Sequence, residues 1–237
     1  MLPESPSAQV ELTRDRDIAV IRINRPEKRN ALTLAMLSQL RELLLQAVEA
    51  DARAVILTGT ADLFSAGFDL NELASGKATK LIDEEIAATA LAIQSAKIPV
   101  IAAIEGACVG AAVELALACD VRIASEKTFF QVPAVRLGIV YRPEAIAMMV
   151  RLVGRETVMR LMVLAERIGG VDLTTAGLVS RTVEPGTTLE GALALADANS
   201  GSAPLAVAAT KSLVTESSSE HSDLAKFDHL PLDIPEY

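Results

Sequence analysis

The spacing of apolar positions changes several times along the chain, and each change marks an element. Glu11-Leu12 and Ile18–Ile23 read as two strands joined by the polar stretch Arg14–Asp17, a β-hairpin opening. Arg25-Pro26 closes the second strand, because proline removes a ladder donor. Thr33 is suited to cap a helix. Beyond it Leu37, Leu40, Leu44 and Ala47 recur on one face to about Ala50. Ala54–Leu57 is wholly apolar and stops at Gly59, the pattern of a strand covered on both faces. Strand, helix and strand in this order predict a parallel crossover.

The pattern recurs. A helix over Leu81–Ala96 leads to a strand at Val100–Ile104, and a helix over Ala111–Ala118 leads to a strand at Val121–Ala124. Helices follow at Glu144–Leu152 and Glu156–Leu164. Asp172 is placed to cap a short helix ending at Gly177, before a strand at Val179–Val183. Ala-rich helices cover Leu189–Ala198 and Leu205–Val214. The chain then turns polar over Glu216–Ser222 and ends in a proline-containing tail. No repeat or low-complexity linker divides it. The expectation is one α/β domain with a helical C-terminal portion.

The run Ile98–Cys119 is long enough to span a bilayer and carries only two charges, Glu105 and Glu114. A carboxylate near a bilayer centre costs about 2.5–3.5 kcal/mol. The run also holds Pro99, Gly106 and Gly110 and has no basic flank. It reads as a buried strand, a glycine turn and a buried helix, with no membrane span. That reading makes Glu114 the anomaly.

Composition narrows the function. Aromatic residues are 3% of the 237, there is no tryptophan, and net charge is −9. Base-stacking platforms and phosphate-tracking surfaces are both disfavoured, so nucleic acid is not an expected partner. Cys108 and Cys119 lie in apolar sequence without metal or redox spacing, and read as small buried hydrophobes of a reducing compartment. The only histidines are His221 and His229, so a His-rich metal site or a Ser-His-Asp triad in the body of the fold is hard to build. Met1–Ala8 lacks the basic start and apolar core of a signal peptide, so the expected location is cytoplasmic.

Two segments could carry chemistry. Phe64–Leu70 and Gly106–Glu114 each place small residues after a strand and before a helical turn. First-turn N–H groups of a helix have no internal partner and point outward in a positive field. Two such turns after neighbouring parallel strands would face one crevice, where paired N–H donors form an oxyanion hole. The same glycines also suit plain helix–sheet packing. Glu114, between Val113 and Leu115, sits in an apolar setting that raises a carboxyl pKa toward the range useful for acid–base work. A first-turn carboxylate favoured by the helix dipole is the alternative.

At these residues the chain resembles the crotonase superfamily, the enoyl-CoA hydratase/isomerase fold, over most of its length. Asn24–Leu32 is similar to the family's coenzyme-A-contacting turn. Phe64–Leu70 is similar to its first oxyanion loop, and Ile104–Ala107 through Glu114–Ala116, with Ala118–Arg122, to its second. Leu137-Gly138 and Thr175–Val179 match later landmarks. The resemblance implies a crotonase-type α/β spiral of repeated ββα units. It places a core with the acyl-CoA site at 1–185, and a helical, trimer-forming C-terminal region at 186–237 that is shortened relative to the family. It makes the N–H groups of Phe68 and Ala111 the oxyanion donors and Glu114 the acid/base. It lays coenzyme A along Arg25, Lys28, Arg29 and Ala31, with Ala66 and Asp69, Leu70 and Asn71 near adenine and pantetheine. A solvated turn is the other reading of Lys28 and Arg29. The implied partner is an acyl-CoA thioester, with no separate cofactor and no metal, in a homotrimer or dimer of trimers.

Departures from the pattern bear on the reaction. Hydratases of the family flank one water with two glutamates, the second in a Pro-Glu pair; here that place is Pro133-Ala134. Ala134 is left as a substrate-contacting wall residue. The second loop is Gly110-Ala111-Ala112 where three glycines are common. Tyr141 stands where acyl-CoA decarboxylases of the superfamily can carry a tyrosine, although Phe68 replaces a histidine found there. It also fits as an ordinary pocket wall. The expected function is an acyl-CoA enzyme that stabilises a thioester enolate with a single glutamate. A malonyl-type decarboxylase using Tyr141 and a catalytically silent acyl-CoA binder are the alternatives.

Overall fold

The structure, a computed structural model, describes residues 9–60, 62–74 and 79–217. The readings made on Met1–Ala8, His221, His229 and the tail Phe227–Tyr237 lie outside them. Strands β1 (Val10–Asp15) and β2 (Ile18–Ile23) form the expected antiparallel hairpin, with Asp15 opposite Ile18. The turn is tighter than expected and consists of Arg16 and Asp17. Helix α1 (Leu34–Glu49) starts where Thr33 accepts a hydrogen bond from Met36 N. Strand β3 (Ala54–Thr58) then pairs with β2 in parallel.

Helices α2 (Leu70–Ala74) and α3 (Thr79–Ser95) precede strand β4 (Val100–Ile104). Strand β5 (Ala107–Val109) and helix α4 (Ala111–Ala118) precede β6 (Val121–Ser125). After β7 (Phe129–Gln131) come α5 (Pro143–Val158), a π-helical turn at Met159–Val163, and β8 (Ile168–Gly169). The chain continues through α6 (Asp172–Thr175), β9 (Arg181–Val183), α7 (Thr188–Ala198) and α8 (Pro204–Ser217). The large sheet runs β1-β2-β3-β4-β6-β9 and is parallel after the opening hairpin.

Period-2 alternation divides this sheet's side chains between two cores. Ile21, Ile23, Val55, Leu57, Ala102 and Ile104 join one cluster with Leu37, Leu40 and Leu44 of α1 and with α4. Ile18, Val20, Ala54, Ile56, Ile101 and Ala103 join another with Ala192 and Ala196 of α7. Both faces are covered, which explains why β3 and β4 read as unbroken apolar runs. Among the described residues no helix is long and apolar enough to cross a membrane.

Several expectations need correction. The Gly106–Gly110 segment is not simply a turn: it contains β5, which pairs with β7 in a second, three-stranded sheet completed by β8. Asp172 is the first residue of α6 and makes no capping bond; its carboxylate pairs with Arg160 at 3.1 Å. The two helices expected after Glu144 meet at Gly154, whose φ of 78° breaks the helical path.

Candidate functional site

The two glycine loops meet at the end of the parallel strands. Main-chain pairing ties the first loop on both sides: Leu32, from the 24–32 turn, bridges to Phe68, and Ser65 bridges to Cys108 of the second loop. In the first bridge Leu32 N–H donates to Gly67 O at 2.7 Å and Asp69 N–H donates to Leu32 O at 2.8 Å. The N–H of Phe68 therefore stays out of the ladder. Ala111 is the first residue of α4, so its N–H has no acceptor within the helix. Gly67, with φ of 92°, lets the loops touch: a Cβ there would lie 2.6 Å from Val109 O and 3.4 Å from Ala111 N. Only glycine fits.

A cavity of about 290 Å³ opens over these loops. Of the residues singled out from sequence, Ala66, Phe68, Leu70, Ala111, Glu114, Ala134 and Tyr141 line it. Ile82 and Ile86 of α3 and Ile139 and Val140 complete much of its apolar wall. The Tyr141 hydroxyl lies over the second loop, 4.0 Å from where a Cβ on Gly110 would sit. Burial, and the charges of Glu114 and Asp83, push its phenol well above the usual value.

Arg25, Lys28, Arg29, Ala31, Asp69 and Asn71 do not line this cavity. They belong to the adjoining turn and to the start of α2. Lys28 and Arg29 are exposed. Arg25 is tied down, donating to Asp69 Oδ2 at 2.7 Å and to Ala31 O at 3.1 Å. The Arg25 guanidinium holds the Asp69 carboxyl below its usual range, with help from Asn71 N–H.

Asn30, which lies within the Asn24–Leu32 turn and to which the sequence alone gives no role, fastens that turn to the first loop. It is fully buried with φ of 54°, a conformation asparagine tolerates. Its amide donates to Leu63 O and Phe64 O, and its Oδ1 accepts from Arg25 N and Thr60 Oγ1. Its carbonyl accepts from Ser65 Oγ at 2.7 Å. The αL geometry and the long-range acceptors leave no local trace in sequence.

Glu114 is the buried acid of the site, 1% exposed at the side chain. Burial raises its pKa; the charge and hydrogen bond of Arg142 oppose that, and the charge of Asp83 adds to it. Arg142 Nη2 donates to Glu114 Oε1. Glu114 Oε2 makes no hydrogen bond to the described residues. Arg142 and Asp83 are the charged groups that sequence reading missed. Each is ordinary in its own segment, and only the packing of α3 and α4 and the approach to α5 brings them together. Cys108 and Cys119 are buried thiols whose pKa values burial raises. Among the described residues no cluster of three or more His, Cys, Asp or Glu could hold a metal ion.

A parallel sheet covered on both faces, a small second sheet, and two stitched loops under a cavity define a crotonase-type fold. The sequence profile of the enoyl-CoA hydratase/isomerase family matches residues 13–229, and the chain belongs to that family of acyl-CoA enzymes. It is 34% identical over 211 residues to 2,3-dehydroadipyl-CoA hydratase of Escherichia coli, covering 89% of this chain and 83% of that protein. It is also 34% identical over 211 residues to the peroxisomal Delta(3,5)-Delta(2,4)-dienoyl-CoA isomerase of Arabidopsis thaliana, covering 82% and 76%. An enoyl-CoA hydratase/isomerase family protein of Hyphomonas neptunium superimposes with a TM-score of 0.85 at 31% identity, over 92% of this chain and 87% of that one.

Proposed function

We propose that the protein moves a double bond or a proton next to a thioester carbonyl, with Glu114 as its single acid/base. The carrying observation is the composition of the cavity. Glu114 lines it with Oε2 unengaged by the described residues, Phe68 and Ala111 border it, and so does Ala134, which by the family resemblance takes the place of a hydratase's second glutamate. The thioester oxygen accepts from the N–H groups of Phe68 and Ala111. Glu114 removes the C2 proton of a 3-enoyl thioester, and the charge develops on that oxygen as a dienolate. Returning the proton to C4 gives the 2-enoyl thioester. One carboxylate completes this cycle, whereas efficient addition of water calls for a second, and the cavity's other carboxylate, Asp83, is held by Arg142. The names of the two relatives, a hydratase and a dienoyl isomerase, support chemistry at this position of an acyl chain.

Decarboxylation of a malonyl-type thioester is the second reading, favoured by the Tyr141 hydroxyl over the Gly110 loop. In either case coenzyme A arrives as part of the substrate, along the turn carrying Arg25, Lys28, Arg29 and Ala31. Asn71 lies beside that turn. The expected assembly is a homotrimer or a dimer of trimers.

The test is mass spectrometry in heavy water of 2-enoyl-, 3-enoyl- and methylmalonyl-CoA with the parent protein and Glu114→Gln. Double-bond migration with deuterium uptake, reduced about 10²–10⁴-fold in the variant, is the expected result. Water addition would make the protein a hydratase, and loss of carbon dioxide a decarboxylase. Saturable binding with every thioester unchanged would leave only a binder.

A further inference from the structure

Arg142 directly precedes α5, yet its guanidinium spans carboxylates on two other helices. Nη2 donates to Glu114 on α4, and Nη1 donates to Asp83 Oδ1 on α3 at 3.3 Å. Both carboxylates line the cavity. Side-chain exposure rises from 1% at Glu114 through 17% at Arg142 to 40% at Asp83, so the chain of charges runs from the dry interior toward water. A buried glutamate without a cation sheds its charge and becomes a poor base.

We propose that Arg142 is a positioning residue for the proton transfer assigned above to Glu114. It keeps the carboxylate ionised and, by occupying Oε1, leaves Oε2 as the oxygen that receives the substrate proton. The inference rests on that reading of Glu114. Asp83 has a part in the same device. When Oε2 takes the proton and Glu114 becomes neutral, Arg142 still has Asp83 as a counter-charge, so the intermediate does not strand a part-buried guanidinium.

The ionisable groups facing Glu114 are few. Among the described residues Arg142, from the segment before α5, and Asp83, from α3, act on it directly, while Tyr141 and Lys80 share the cavity lining. Arg142 pulls the Glu114 pKa down, while Asp83 pushes it up. The base works above its pKa. Removing Arg142 therefore moves the acidic limb of activity to higher pH, and removing Asp83 moves it to lower pH. A purely structural pair would shift neither limb in a signed way.

The test is the pH profile of kcat/KM for double-bond migration in 3-hexenoyl-CoA, which reports groups of the free enzyme. Arg142→Gln should raise the acidic limb by about 1–3 pH units and recover turnover at alkaline pH. Arg142→Lys should follow the parent, and Asp83→Asn should shift the limb the opposite way. A pH-independent loss in Arg142→Gln with the limb in place overturns the proposal. If circular dichroism shows that Arg142→Gln does not fold, Asp83→Asn decides: an unmoved or raised limb overturns it. Glu114→Gln separates the two layers. Retained turnover in that variant sinks the Glu114 reading itself, whereas a dead Glu114→Gln beside an unmoved Arg142→Gln limb sinks only the role of Arg142. Absence of both turnover and C2 deuterium exchange in the parent overturns both.

Discussion

In the proposed reaction Ala111 acts through its backbone N–H, not its side chain, and its place as the first residue of α4 makes that testable. Proline is tolerated at the first helical position, where the N–H lacks an intrahelical acceptor. Ala111→Pro should leave the far-ultraviolet circular dichroism unchanged while kcat falls about 10²–10³-fold, the equivalent of about 2.7–4 kcal/mol for one lost donor. Unaltered kcat would remove Ala111 from the hole. The methyl-bearing loop Gly110-Ala111-Ala112 departs from the common three glycines without closing the site, since Ala111 still borders the cavity. The places of these residues were readable in advance: a carboxylate between Val113 and Leu115 and an amide at a helix start show locally, and both line the cavity. Arg142 was not readable, because its partners come from positions 83 and 114 and only packing reveals them.

At the scale of elements, legibility followed length. β3 and β4 are five-residue, largely apolar strands, and α1 carries Leu37, Leu40 and Leu44 on one face, so all three stand out against their flanks. β5, β7 and β8 are two or three residues long, too short for any period to register, and the small sheet they form was hidden. That sheet matters because β5 carries the second loop into α4, and Ser65 is bridged onto it. The contact depends on the bare Cα of Gly67. Gly67→Ala would drive a methyl against Val109 O and place it on a left-handed backbone, which costs about 1–3 kcal/mol before any loop displacement. Both the urea midpoint and turnover should fall together. A variant that loses stability but keeps full turnover would show that the two loops need not touch for catalysis.

For the whole molecule, the mixed sheet with helices on both faces accounts for most of the buried apolar residues, yet several large ones stay on the surface. Leu164, Val171, Leu205 and Val214 are each more than half exposed. They suit the proposed assembly into trimers, which sedimentation equilibrium should report as about three chain masses of 25.0 kDa or a multiple of that. A monomer at micromolar concentration would remove the assembly from the proposal.

Asn30 has a wider consequence through the bonds it makes. By clamping the 25–31 turn to residues 60–65, and with Leu32 laddered to Phe68, it welds the handle proposed for coenzyme A and the grip on the thioester oxygen into one stiff caliper. In the proposed reaction every acyl-CoA would present that same handle and thioester, so a fixed jaw would serve them all. In that reaction, discrimination among acyl tails then falls to the rest of the cavity wall, Ile82 and Ile86 of α3 with Leu137, Ile139, Val140 and Tyr141. These walls can be remodelled for a longer, shorter or branched tail without disturbing the distance between the fixed points.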